Sequence, residues 1–316
     1  MSSGLEVRRA EPADHSAILE LCNATLGWAD DARFRRLFEW KHLHNAFGAS
    51  LAWVATHEGN VVGVRFFMQW EFAVEGTPVR AVRAVDTATH PDHQGRGIFT
   101  TLTLHGLDEL QRDGVGFVFN TPNEKSRPGY LKMGWTEVGH LPAGVRFAGP
   151  RGALAAVRSR VPADLWSIST SIGVDFDTWQ RANPTLLPEP TSDGVATLWT
   201  PERLRWRFEW DELAYRVFEY HNTALVVRSR HRGRALELVV ALALGDTAPV
   251  SVDRAVRRAL AASRASYALR LGEARPIRGV LPLPGGGPML TWRAVGTATM
   301  PSSEAWHLSM GDIELF

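Results

Sequence analysis

Residues 90–102, which read HPDHQGRGIFTTL, contain two glycines in a setting that can bind a phosphate. Gly95 and Gly97 stand directly before Ile98, the first residue of an apolar pattern that predicts a helix. The first N–H groups of a helix have no partner within it and carry the positive end of its dipole, so they bind anions without a charged side chain. Because a side chain at the contact point would keep a phosphate away, the glycines favour a pyrophosphate site over a plain turn.

Two familiar phosphate motifs do not fit this stretch. The dinucleotide fingerprint needs a third glycine where Thr100 stands, and its next strand should end at an acid rather than at Asn120. The Gly-Lys-Ser/Thr sequence of a Walker loop does not occur. The glycines therefore belong to another kind of site.

The elements around the glycines predict a mixed α/β fold. Residues 12–28 and 30–44 have helical spacing of apolar residues, and residues 50–91 predict three strands of an antiparallel meander. The helix after the glycines is followed by the apolar strand VGFVFN at 115–120 and a short helix in EKSRPGYLKMGW. We expect a mostly antiparallel central sheet flanked by helices.

The second half repeats this order. The tripeptide at residues 38–40, Phe-Glu-Trp, recurs at residues 208–210, and three predicted strands, a helix and a strand follow. We therefore predict two domains of the same fold, at residues 1–147 and 148–316. Two unrelated α/β pieces are the alternative.

The glycine stretch resembles the acetyl-coenzyme A signature of the GNAT acetyltransferase superfamily: Arg or Gln, two residues, Gly, one residue, then Gly or Ala. Gln94 and Gly97 occupy the defining positions, and Phe99 departs from the last one. AVDTATHPDH resembles the fourth strand of the family, and FVFNTPNEKSRPGYLKMGW resembles its second cofactor segment. The resemblance covers residues 5–147. The second half lacks both motifs and resembles a degenerate copy, as in tandem GNAT proteins.

The resemblance implies acetyl-CoA as cofactor and assigns its contacts. It places the pantetheine arm along one strand, the pyrophosphate at the glycines, and the acid for the coenzyme A thiolate at Tyr130. The expected cofactor-binding residues are Asp86, Thr87, Ala88, Thr89, Gln94, Gly95, Arg96, Gly97, Ile98, Asn120, Asn123 and Tyr130. Packing is the alternative role for Tyr130, and Asn120 and Asn123 either bind the cofactor or organise the turn after their strand.

The catalytic base is predicted less directly. Asp86 lies in an apolar strand, where an acid is costly unless it is used or paired, so it is either a base with a raised pKa or a paired structural acid. Glu71 and Glu124 are the next candidates, and a relayed water would need none of them. We expect Tyr130 and Asp86 to be the catalytic residues.

The charge balance and the cysteine count limit the partners. Lys plus Arg is 35 and Asp plus Glu is 34, so no global field attracts nucleic acid or a membrane. Cys22 has no disulfide partner, no signal peptide or membrane span is recognisable, and a cytoplasmic location is expected. His90 and His93 lack a third ligand, so no metal is predicted. RSRHRGR at 228–234 is interpreted as a solvated strand face or, alternatively, as a site for an anionic substrate.

These observations predict an acetyl-CoA-dependent N-acetyltransferase that transfers the acetyl group directly to a small-molecule amine in a ternary complex. The second half is expected to shape the acceptor pocket or to have a structural role. The alternatives are a FemABX-like aminoacyl transferase and a non-catalytic acyl-CoA-binding or sensor protein.

Overall fold

The structure is a computed structural model that describes residues 4–28, 31–189, 193–272, 279–283 and 286–314. Its strands are β1 (Leu5–Arg9), β2 (Leu51–His57), β3 (Asn60–Val74), β4 (Thr77–Thr89), β5 (Phe117–Asn120), β6 (Thr136–His140), β7 (Ala143–Phe147), β8 (Val174–Asp175), β9 (Val195–Thr197), β10 (Arg216–Tyr220), β11 (Thr223–Arg232), β12 (Ala235–Gly245), β13 (Tyr267–Leu271), β14 (Leu281–Pro282) and β15 (Met289–Ala294). Its α-helices are α1 (His15–Leu26), α2 (Ala32–Phe38), α3 (Ile98–Arg112), α4 (Arg127–Lys132), α5 (Pro150–Arg158), α6 (Phe176–Ala182), α7 (Pro201–Phe208), α8 (Pro249–Ser263) and α9 (Met310–Ile313).

The chain forms two compact units that are not simple halves. The first unit contains the described residues up to Gly139 together with Met289–Ser303, and the second contains those from His140 to Pro288 and from Glu304 onward. The division therefore differs from the predicted one at residues 147 and 148. The reason is pairing: β7 joins the sheet of the second unit, and β15 joins the sheet of the first.

The sheet of the first unit has the order β1-β2-β3-β4-β5-β15-β6. β4 and β5 are parallel, whereas β1·β2, β2·β3, β3·β4 and β5·β15 are antiparallel. Alternate residues of β3 serve opposite faces: Phe66 packs in a cluster with α1, and Phe67 in a cluster with α3. The predicted fold class, a mostly antiparallel sheet flanked by helices, is confirmed.

Gly106 of α3 packs directly against two aromatic rings of this sheet. A Cβ built at Gly106 would be 2.9 Å from Phe67 Cε2, closer than real Cβ contacts, and 3.0 Å from Trp53 Cε3, tighter than most of them. The absent side chain lets the helix backbone approach both rings. At the start of α3 the close approach comes from Gly63 of β3, where a built Cβ would lie 2.5 Å from Ile98 Cγ2.

The second unit repeats the order of helix, three antiparallel strands, helix and parallel strand. Its sheet has the order β14-β7-β13-β12-β11-β10-β8, in which β12 and β13 are parallel like β4 and β5. Helix α8 packs on this sheet through Val252, Val256 and Leu260. The predicted repetition of the fold is therefore confirmed. Among the described residues, no helix is both long and apolar enough to cross a membrane.

In the arginine-rich stretch of β11, Arg228 and Arg230 turn inward, whereas Arg232 is partly exposed. Arg228 is buried and its Nη2 lies 2.8 Å from Glu314 Oε1, while Arg230 Nε lies 2.6 Å from Glu237 Oε1. Arg232 Nη2 lies 3.2 Å from Glu237 Oε2. The interpretation of this face as solvated is wrong, because carboxylates of the same unit neutralise it.

Candidate active site

Strands β4 and β5 separate and leave one edge of β4 open. They pair only where Ala81–Arg83 lie beside Phe117–Phe119, and β4 continues to Thr89. Within the described strands, Thr87–Thr89 pair on one side only, with β3. Their N–H and C=O groups that face away from β3 are available to an extended ligand, except Thr89 O, which accepts from Gln94 Nε2. This is the segment on which the pantetheine arm was expected.

A β-bulge at Asp86 opens this segment. The β3·β4 register shifts between Arg65 and Phe66, so Asp86 is the extra residue, and its φ of 30° lies in the left-handed region. Two donors meet its Oδ2: Lys41 Nζ at 2.7 Å and His42 Nε2 at 2.9 Å. The bulge therefore places an ion pair beside the open edge.

Lys41 and His42 come from the π-helical turn Glu39–Leu43, which directly follows α2. Both side chains are 1% exposed, whereas that of Asp86 is 13% exposed, so the carboxylate is the accessible member of the group. The His42 ring stacks on Phe66 with centroids 4.0 Å apart, and its Nδ1 lies 2.9 Å from Ser50 Oγ. Neither residue was predicted from the sequence as part of the site, although a lysine on the apolar face of a helix is a signal for a buried partner.

The pKa of Asp86 is lowered, whereas a catalytic base at this position was expected to have a raised pKa. Burial alone raises it, but the charge of Lys41 and the hydrogen bond from His42 outweigh burial and hold the pKa below its ordinary value. Burial lowers the pKa of His42 in spite of Asp86. Of the two alternatives for Asp86, the base with a raised pKa is wrong and the paired acid is observed: the carboxylate is ionised at neutral pH beside Lys41 and a neutral imidazole.

The two glycines form an open turn before α3. Gly95 and Gly97 have φ values of 74° and 77°, and a Cβ built on either would meet no atom within 4 Å. Within the described part of the chain, the backbone N–H groups of residues 95–98 donate to no protein acceptor. The side chain of Gln94 donates to Thr89 O at 3.3 Å and links this turn to the end of β4. The geometry is that of an anion site at a helix start.

The corresponding turn of the second unit has different chemistry. Between β12 and α8 stands Asp246, which accepts hydrogen bonds from Ala248 N at 3.0 Å and Ser251 Oγ at 2.6 Å. The Ser251 hydroxyl and the Ala248 N–H lower the pKa of Asp246, so it is ionised at neutral pH. Pro249 begins the helix and has no N–H. A carboxylate and a proline therefore stand where the first unit has bare N–H groups.

Tyr130 lies on α4, is 5% exposed, and packs in the cluster beneath α3. Its hydroxyl accepts a hydrogen bond from Arg65 Nη1 at 2.8 Å. The ring of Phe99 meets it edge-on with centroids 5.5 Å apart, and Gly129 leaves the room that the Phe99 ring needs. Phe99, the departure from the family signature, is thus part of the packing that fixes Tyr130.

The oxygen atoms of the two asparagines are already engaged. Asn120 is buried, and its Oδ1 accepts from Thr291 Oγ1 of β15 at 2.6 Å. Asn123 Oδ1 accepts from Lys125 N at 3.1 Å and Ser126 N at 2.9 Å, which orders the turn before α4. Asn123 thus organises the turn after its strand, the alternative that was left open beside cofactor binding, whereas Asn120 links β5 to β15.

The other candidates lie apart from this group. Glu71 is opposite Arg80 on the β3·β4 ladder, before the bulge, and Glu124 lies in the turn before α4. The rings of His90 and His93 are 5.8 Å apart. In the ranges that the structure describes, no three His, Cys, Asp or Glu side chains come together as metal ligands.

Comparison with known proteins agrees with the observed fold. A family model described as an acetyltransferase (GNAT) domain matches residues 6–138. Three solved structures resemble nearly the whole chain. A probable N-acyltransferase from Enterococcus faecalis V583 has a TM-score of 0.67 at 10% identity and covers 93% of this chain and 73% of its own. A GCN5-related N-acetyltransferase from Anabaena variabilis has a TM-score of 0.59 at 12% identity, and the match covers 92% of this chain and 73% of that protein. Eis1 from Mycobacterium abscessus has a TM-score of 0.58 at 17% identity, and the match covers 92% of this chain and 74% of Eis1. A comparison with curated proteins finds no match.

Proposed function

We propose that the chain is an acetyl-CoA-dependent N-acetyltransferase acting on a small-molecule amine, because a GNAT acetyltransferase domain model matches its residues 6–138. The GNAT fold indicates acyl-CoA-dependent acyl transfer, and acetyl as the acyl group and an amine as the acceptor are the proposed part. One observation carries the proposal: the open edge of β4 leads directly to the bare N–H groups at residues 95–98. An extended arm that ends in a pyrophosphate fits this arrangement, in which an unpaired strand edge is followed by free backbone N–H groups.

The proposed cofactor contacts follow from these positions. The backbone of residues 86–89 would pair with the pantetheine arm, and the N–H groups of residues 95–98 would bind the pyrophosphate. Gln94 and Arg96 would support the turn, since their side chains donate to Thr89 O and Asp92 O. Asn120 and Asn123 would contribute through their amide N–H groups, because their oxygens are engaged. Bound acetyl-CoA supplies an activated thioester carbonyl.

Two side chains are proposed to act on the reacting groups. Tyr130 would donate its hydroxyl proton to the departing thiolate. Its oxygen already accepts a hydrogen bond from Arg65, so the hydroxyl proton points away from Arg65 and can be given to another acceptor. Asp86 would accept an N–H of the incoming amine and stabilise the positive charge that develops on nitrogen. Because its pKa is low, it is a weak base, and the proton of the amine would leave to water.

The second unit is proposed to support the first without a cofactor of its own. Asp246 would repel a pyrophosphate, and Pro249 removes one of the donors that would bind it. A cytoplasmic location, and a chain without a nucleic-acid partner, remain predictions from the sequence.

The test combines turnover with binding. Release of coenzyme A is measured across a panel of amines, and acetyl-CoA binding is measured by calorimetry, for the parent, Tyr130→Phe and the control Tyr220→Phe on β10. We expect Tyr130→Phe to lower turnover about a hundredfold and to leave acetyl-CoA affinity nearly unchanged, because an acid acts only as the bond breaks. Tyr220→Phe should behave like the parent.

Other results would favour the rival functions. Tight acetyl-CoA binding without turnover on any amine would indicate a sensor protein. Absence of acetyl-CoA binding, together with aminoacyl transfer from charged tRNA, would indicate the FemABX-like function. Unchanged turnover in Tyr130→Phe would return that residue to a packing role.

A further inference from the structure

Arg65 on β3 is a cation buried within the first unit. Its side chain is fully buried, and its Nη1 donates to Tyr130 Oη and to Thr87 Oγ1. Its Nε and Nη2 are buried without a hydrogen-bond partner. Among the described residues, no carboxylate forms an ion pair with it.

The surroundings of Arg65 are aromatic instead of acidic. Its guanidinium carbon lies 4.8 Å from the ring centroid of Phe67, 5.3 Å from that of Tyr130 and 5.7 Å from that of Phe99. Ring faces attract a cation but do not neutralise it, so burial remains costly. Arg228 in the second unit is equally buried, and there Glu314 balances the charge. A buried arginine without such a partner would be stabilised by a negative charge that forms beside it during function.

The position of Arg65 identifies where that charge would form. The Tyr130 hydroxyl accepts from Arg65, and it donates to no protein acceptor within the described residues. Loss of the Tyr130 proton would place a phenolate 2.8 Å from a guanidinium nitrogen. The cation is therefore already in place for the charge that proton donation creates.

We propose that Arg65 is a positioning residue for departure of the thiolate: it orients Tyr130 and stabilises the phenolate left when Tyr130 gives its proton to sulfur. The inference rests on the proposed acetyltransferase function. In the step, the amine nitrogen bonds to the carbonyl carbon while the C–S bond breaks and its electron pair stays on sulfur. Sulfur takes the Tyr130 proton, the amine loses a proton to water, and the phenolate regains one from water. The net products are the amide and coenzyme A.

The test uses the full chain and four single variants. Arg65→Met removes the charge, Arg65→Lys keeps it, and Tyr130→Phe removes the acid. Arg83→Met, on the neighbouring strand β4, is the matched control, because Arg83 is also buried and donates to Thr121 Oγ1 at 3.0 Å. We measure kcat, KM for acetyl-CoA and the thermal midpoint, and we add the double variant of Arg65→Met with Tyr130→Phe.

We expect Arg65→Met to lower kcat at least tenfold with KM changed less than threefold, and Arg65→Lys to recover part of the loss. In the Tyr130→Phe background, Arg65→Met should change kcat less than threefold, because both residues serve one step. The thermal midpoint should not fall, since an unpaired buried charge is removed. Arg83→Met should change kcat less than threefold.

Three results would overturn the inference while the proposed function stands. These are an unchanged kcat in Arg65→Met, an equal loss in the presence and absence of the Tyr130 hydroxyl, and a kcat loss that follows a lowered thermal midpoint. If Arg65→Met does not fold, Arg65→Gln takes its place, and failure of both to fold would make Arg65 a structural residue. A parent enzyme that releases no coenzyme A with any amine overturns the proposed function itself, and the inference with it.

Discussion

Substituting Gly97 by glutamate tests the anion site at the start of α3 most directly. Gly97 has a φ of 77° and immediately precedes the first helical residue, Ile98. The space around its Cβ is open, so a glutamate side chain would cause no clash inside the protein. It would instead occupy the space next to the N–H groups where the pyrophosphate is proposed to bind. The change therefore affects the ligand far more than the fold.

The magnitude follows from two separate effects. A side chain in the left-handed region costs roughly 1–2 kcal/mol of folding free energy. Between the new carboxylate and one pyrophosphate charge at about 5 Å, with an effective dielectric constant of about 20, the repulsion is about 3 kcal/mol. That energy corresponds to a dissociation constant weaker by about a hundredfold. The loss should shrink as salt is added, because the site is open to solvent.

Gly114→Glu supplies the matched control at the other end of α3. Gly114 has a φ of 74° and the same open space, but it stands beyond the helix C-terminus. We expect both variants to lose stability in urea unfolding, Gly114→Glu the more because its charge lies at the negative end of the helix dipole, while only Gly97→Glu loses acetyl-CoA affinity by calorimetry. A folded Gly97→Glu protein that binds acetyl-CoA as tightly as the parent would show that the site is misplaced.

Three further predictions concern stoichiometry, acid sensitivity and truncation. Calorimetry should give one acetyl-CoA per chain, because Asp246 and Pro249 occupy the corresponding turn of the second unit, and a second equivalent would contradict that assignment. Because the folded-state pKa of Asp86 lies below its ordinary value of 3.8, its pair with Lys41 stabilises the fold above that pH and weakens as the pH falls further. Asp86→Asn should therefore lower the free energy of unfolding by about 3 kcal/mol at pH 7 and reduce its loss in acid, and urea unfolding at pH 7 and about pH 2.5 would show an unchanged acid dependence if this is wrong. Removing residues 150–316 should leave a protein without cooperative thermal unfolding, because β15 is then lost from the first sheet; a sharp transition in calorimetry would contradict this.

The parts of the fold that the sequence predicts are those encoded by local pattern. The turn at Gly95 and Gly97, the antiparallel meander and the repeated order of elements each depend on residues close together in the chain. They were confirmed because periodicity and turn chemistry act over short distances. The roles proposed for individual site residues remain predictions.

The missed features depend on partners far apart in the chain. Lys41 and His42 meet Asp86 only because a bulge turns that residue toward them, and periodicity does not encode a bulge. In the sequence Arg65 has no feature that separates it from other strand residues, because its partner Tyr130 lies on a later helix. The sequence also did not predict that β7 joins the sheet of the second unit and β15 that of the first, because pairing between remote strands leaves no local pattern.

The exchanged strand β15 also affects how the protein folds during synthesis. Thr291 of β15 pairs with Asn120 of β5, so a contact inside the first sheet joins residues 171 positions apart. A ribosome that has released residues 1–139 has delivered most of the first unit but not the strand between β5 and β6. That edge of β5 remains unpaired until β15 has been synthesised as far as residue 294. Because exposed strand edges promote aggregation, the nascent chain is vulnerable during this interval. Slow translation between these points would lengthen that interval, so the yield of native protein should depend on translation speed and on chaperones that bind nascent chains.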